Sequence, residues 1–126
     1  MKKILVYSLF ALSFLFITGC KKNSNNFPFT VQVVVINAEG NEVPVSGVVV
    51  NAGAPVPDAL PDFTDTTNSD GQVSFTYQYE AVLQVVATRG FNPPSYIGCG
   101  FIKLIQDENV VLKIVLQPYD PSQQGC

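Results

Sequence analysis

Few residues in this chain are equipped for chemistry. Histidine is absent from the 126 residues, which removes the commonest general base and metal ligand. Ser46, Ser69, Ser74, Ser95 and Ser122 therefore have no imidazole to activate them, and none stands in a Gly-x-Ser-x-Gly elbow. Carboxylates remain. Asp62, Asp65 and Asp70 lie close in sequence, and two of them facing each other across a cleft would define a glycan-cleaving pair. With Asn68 the same acids offer oxygen ligands to calcium, but their spacing is not that of the twelve-residue calcium loop. The reading preferred here is plainer: solvated turn carboxylates, with Asp70 shaping its own turn before Gly71. No catalytic residue, resident metal or cofactor is expected.

The cysteines say more. Met1-Lys2-Lys3 precedes an apolar run, 4–17, which ends in Thr18-Gly19-Cys20. A basic head before a short apolar stretch reads as a secretory signal, too short for the roughly 20 apolar residues of a membrane span. Ile17-Thr18-Gly19-Cys20 resembles the lipobox of bacterial lipoproteins. The resemblance implies cleavage before Cys20, acylation of its sulfur and new amine, and a lipid bilayer as first partner. Several acyl chains, at about 0.8 kcal/mol per buried methylene, anchor firmly where one exchanges. Lys21 stands where an aspartate would hold such a protein at the inner membrane, so the expected location is the outer membrane, facing the periplasm.

Four segments follow: a signal peptide over 1–19, a lipidated end with a polar tether over 20–28, one domain over 29–118, and a tail over 119–126. Once Lys2 and Lys3 leave with the signal, Lys21, Lys22, Arg89, Lys103 and Lys113 stand against ten acidic residues. That balance argues against nucleic acid, whose binding depends on basic side chains that neutralise phosphates. In an oxidising compartment Cys99 and Cys126 form an expected disulfide that would pin the tail; the rival is a buried Cys99 thiol beside a free terminal one.

Seven runs have strand character: 30–36, 43–50, 63–67, 72–79, 81–88, 96–104 and 110–116. The fourth alternates most cleanly, with Val73, Phe75, Tyr77 and Tyr79 on one face and Gln72, Ser74, Thr76 and Gln78 on the other. Asp70-Gly71 is a hairpin signal, and Gly98 and Gly100 indicate a bulge or a close crossing. No helical period follows residue 28. The pattern predicts an all-β, seven-strand, two-sheet sandwich.

Val31-x-Val33-x-Val35, the stretch from Gly40 to Val50 with Pro44 and Gly47, and Asn68-Ser69-Asp70-Gly71-Gln72-Val73-x-Phe75 resemble the carboxypeptidase regulatory-like domain. The likeness continues through 83–91 and 112–118, and it implies a transthyretin-like sandwich. Invasin-type bacterial immunoglobulin-like domains share the opening and the Asp-Gly turn, so both topologies stay open. Val45-Ser46 before Gly47 and the long proline-rich 51–62 loop depart from the first family. Such domains interact, anchor or space, and the expected function is a non-catalytic envelope module for a protein or glycan partner. Its expected surface is one contiguous patch of the 51–62 loop, including Pro55 and Pro57, and the loop carrying Phe91, Pro93, Pro94 and Tyr96. The alternatives are a structural lipoprotein pairing through a sheet edge at Pro44 or the thin third run, and a carboxylate-based glycan-active enzyme.

Overall fold

A computed structural model describes residues 25–56, 59–91 and 93–122. The signal segment, Cys20, Pro57 and Cys126 lie outside the described residues. Nine strands follow one another, with no helix among the described residues: β1 Phe27–Ile36, β2 Glu42–Pro44, β3 Val49–Gly53, β4 Asp62–Thr66, β5 Gln72–Tyr77, β6 Val82–Arg89, β7 Tyr96–Lys103, β8 Val110–Val115 and β9 Gln117–Pro118. They form two sheets. In the first, β1 is central, with β5 and β2 antiparallel to it and β8 parallel to it. The second has the order β4-β3-β6-β7-β9.

The first strand starts earlier than the sequence indicated. Phe27 is buried and pairs with Tyr77, so Phe27 and Pro28 belong to the sandwich and not to a tether ending at 28. The backbone of Val33 bonds toward Gly71 and Val45, and the carbonyl of Val34 bonds to Leu116. By alternation the missing N–H of Pro28 falls on the β8 side, before β8 begins opposite Phe29; no ladder bond is lost there. As the central strand, β1 is buried along most of its length, which fits its nearly unbroken run of apolar residues.

The second run, 43–50, divides in two. Its first part, β2, pairs with β1, and its second, β3, pairs with β4 and β6 in the other sheet. The crossing is fixed by Thr67, whose buried hydroxyl donates to the Val45 carbonyl (2.8 Å) and accepts from the Val48 amide (3.0 Å). At the other margin the chain crosses back, from β8 to β9 on β7.

The Asp70-Gly71 turn forms with the expected chemistry and a different connection. Asn68 Oδ1 accepts the amides of Asp70 and Gln72 (2.9 and 3.1 Å), and Gly71 has φ +71°, with Val33 O 2.6 Å from where a Cβ would stand. Yet it joins β4 to β5, which lie in different sheets. It is an arch, and the hairpin expectation is corrected. The hairpin partner of β4 is β3, through the 54–61 loop and its cis Leu60–Pro61 bond.

Between the sheets pack Phe29, Val31, Val33, Val50, Leu83, Val85 and Ile114, each almost wholly buried. The β6–β7 register runs unbroken from Val82↔Lys103 to Arg89↔Tyr96, so Gly98 and Gly100 mark no bulge. They mark a crossing: a Cβ on Gly98 would lie 2.5 Å from Ile114 Cγ2 and 2.9 Å from Val115 O. That contact closes the β7–β8 margin.

Candidate functional site

The remaining margin, between β4 and β5, is open. A line of rings runs out along it. Buried Phe29 meets Phe75 at 5.3 Å and Phe63 at 5.9 Å between centroids; Phe63 meets Tyr77 at 5.7 Å, and Tyr77 meets Tyr79 at 5.5 Å. Both contacts of Tyr77 are edge-on, the favoured arrangement for aromatic pairs. Tyr77 packs against the core, but Tyr79, expected in it, is 57% exposed. Strand β5 ends at Tyr77, and past that point alternation no longer carries a side chain inward. Leu60, 86% exposed, and Asp62 complete a groove of about 630 Å³ with Phe63, Thr76, Tyr77 and Tyr79.

The two strands beside the groove differ as edges. On β4, Asp65 Oδ1 accepts the amide of Thr66 (2.7 Å), so a charged side chain sits over the strand's own outward donor. Inward-side and edge charges of this kind discourage pairing by another chain. On β5 there is no charge and no proline, and among the described residues it pairs with β1 alone. Because Val33 bonds toward Gly71, alternation points the backbones of Val73, Phe75 and Tyr77 at β1 and those of Ser74 and Thr76 outward.

The expected contiguous patch is not formed. The 54–61 loop leaves β3 at Gly53, opposite Gln84, whereas the Phe91 loop leaves β6 at Arg89. Five strand residues separate these points, about 17 Å, at opposite ends of the sandwich. Pro55 is exposed with the first loop. Phe91, 94% exposed, and Pro93, Pro94 and Tyr96 belong to the other end, where the Ser95 amide bonds to Arg89 O (2.7 Å). The residues were legible as loops; their separation follows from strand register, which no local signal encodes.

The acids do not converge either. Asp62 accepts from Asn51 Nδ2 (2.6 Å), Asp65 caps Thr66, and Asn68 is spent on its turn. Asp62 and Asp65 lie three residues apart on one extended strand, roughly 10 Å, and on opposite faces. Among the described residues no group of three His, Cys, Asp or Glu is placed to hold a metal ion. The Asp120 carboxylate is held below its ordinary value by the Ser122 hydroxyl and then by the Ser122 amide.

The cysteine expectation is corrected. Cys99 is exposed on the outer face of β7 and not sunk in an apolar interior, because Gly98 and Gly100 take the inward positions. No disulfide joins two described residues, because Cys99 is the one cysteine among them and Cys126 lies outside them. No helix among the described residues is long and apolar enough to cross a membrane.

No known family matches the sequence, and no curated protein matches it. The fold is similar to that of GBS52, the minor pilin of the gram-positive pathogen Streptococcus agalactiae, with a TM-score of 0.51 and 13% identity over 80% of this chain. The match covers 48% of the pilin chain, so this chain spans about half of its length. At that identity the likeness is one of fold: an all-β, two-sheet sandwich.

Proposed function

We propose that this chain is a non-catalytic cell-envelope module that takes up a strand of a partner protein along the free edge of β5. The observation that carries the reading is the contrast at the open margin, where β4 is blunted by Asp65 while β5 presents an uncharged edge beside an aromatic groove. An added strand would bond to Ser74 and Thr76 through its backbone and lay alternate side chains against Phe75 and Tyr77, the usual logic of strand addition. This moves the pairing edge away from Pro44 and from the third run. The fold likeness to a surface pilin supports a protein partner over a glycan.

Anchoring belongs to the same proposal. Acylated Cys20 would lie seven residues before β1, within about 24 Å of Phe27, so the Leu60–Tyr79 end would face the bilayer and the Phe91 end would point away. The strand order favours the transthyretin-like alternative: a constant immunoglobulin sandwich sets its third long strand beside the sixth, whereas here the third, β4, is an edge beside β3.

The test is Thr76→Pro. It removes an outward N–H and leaves the β1 ladder intact, the tolerated place for proline in a sheet. Crosslinking from intact envelopes should recover a partner with the wild type and lose it with Thr76→Pro, while replacing the Phe91 loop by glycine and serine should leave capture unchanged. Unchanged capture by Thr76→Pro would exclude the β5 edge.

A further inference from the structure

We infer that the end of the sandwich opposite the groove holds a binding site for a carboxylate on a small apolar body, with Arg89 as its anion-binding group. Leu83, Val85 and Ala87 are fully buried on the inward side of β6, and Arg89 is the next position on that line. Its cross-strand neighbour Tyr96 stands on the same side. The two residues frame a cavity of about 380 Å³ whose walls are Val35, Ile36 and Leu116, with Gln117 at the rim. The line of inward positions thus ends in an exposed cation at the mouth of a hydrophobic interior.

Nothing described answers that charge. Arg89 is the chain's single arginine, and it has no ion-pair partner among the described residues, where the salt bridge joins Lys113 to Glu42. A guanidinium offers paired donors that match a carboxylate, and the apolar wall beside it suits an apolar body joined to that carboxylate. One cation balances one negative charge, which favours a carboxylate over a doubly charged phosphate or a polyanion. Val35, Ile36 and Leu116 call for an aliphatic body, and Gln117 adds an amide for a neighbouring polar group. The ligand chemistry is therefore an α-carboxylate beside an aliphatic side chain, supplied by a small amino-acid derivative or by the end of a polypeptide. This site shares no residue with the β5 edge, so either can fail without the other.

Calorimetry on the full chain in detergent, with N-acetyl-leucine and N-acetyl-leucinamide, tests it. The acid should bind at least about tenfold tighter than the amide, as expected for a charge-assisted pair. Arg89→Met, which keeps the stem, should abolish the difference, and Arg89→Lys should keep part of it; circular dichroism checks that each variant is folded. A tetrapeptide, Ala-Ala-Ala-Leu with a free or amidated end, separates the sources: tighter binding than the single residue identifies a chain terminus, and equal or weaker binding identifies a small molecule. Equal affinity for acid and amide, undiminished acid binding by Arg89→Met, or no binding of any probe up to about 20 mM would overturn the assignment.

Discussion

Thr67 and Val48 are joined by a buried hydrogen bond from the Val48 amide to the Thr67 hydroxyl, which in turn donates a hydrogen bond to the Val45 carbonyl. The side chain thereby satisfies two backbone groups where the chain leaves one sheet for the other. Thr67→Val keeps the shape and removes both bonds. Leaving a buried donor and acceptor unmet costs about 1–3 kcal/mol each, so a loss of roughly 3 kcal/mol is expected in urea unfolding, with the slope unchanged. Wild-type stability in this variant would show that water replaces the hydroxyl.

Gly98 holds the β7–β8 margin shut. Gly98→Ala sets a methyl 2.5 Å from Ile114 Cγ2 and 2.9 Å from a backbone oxygen that has no rotamer to adjust. Overpacking of this kind costs about 1–3 kcal/mol, or some 4–8 °C in Tm per kcal/mol for a domain of this size. At Gly100 the nearest atom is Leu112 Cδ2 at 3.2 Å, the end of a flexible side chain. Gly100→Ala should lower Tm clearly less, and thermal denaturation of the two variants checks the order.

Asp65 guards the β4 edge. Asp65→Thr removes the carboxylate over the Thr66 amide and leaves Asp62 as the one charge on β4. Self-association that rises with concentration is expected in sedimentation velocity for this variant, while the wild type remains at its own state.

Asp120 gives the chain an acid-sensitive end. Its carboxylate is held below its ordinary value by the Ser122 hydroxyl and, second, by the Ser122 amide. A depressed folded pKa means the turn's contribution is present above the unfolded value and disappears as pH falls through the folded one. Ser122→Ala should move the Asp120 midpoint upward in an NMR titration and remove the hydroxyl's contribution to the turn at neutral pH, with no difference from the wild type once the carboxyl is protonated in both.

Much of the architecture was readable in advance because alternation is local. The inward lines of β6 and β8 are written into Leu83-x-Val85-x-Ala87 and Val110-x-Leu112-x-Ile114, and Ile114 and the three β6 residues are almost wholly buried. What alternation does not encode is which sheet a run enters. The stretch 43–50 reads as one strand, yet it serves both sheets, because Thr67 draws the backbone across at Val45 and Val48. Asn68, Asp70 and Gly71 specify a turn, but not whether its arms pair.

The same division holds for the surfaces. Residue types alone marked the exposed loops, excluded histidine chemistry and set the polar face of β5 at Gln72, Ser74 and Thr76. Strand register alone set the Phe91 loop about 17 Å from the 54–61 loop, turned Asp62 and Asp65 to opposite faces, and left the β5 edge beside the groove. Side-chain period is a property of neighbours in the chain; register and margins arise when distant strands compete for the same hydrogen bonds, which only the packed structure resolves.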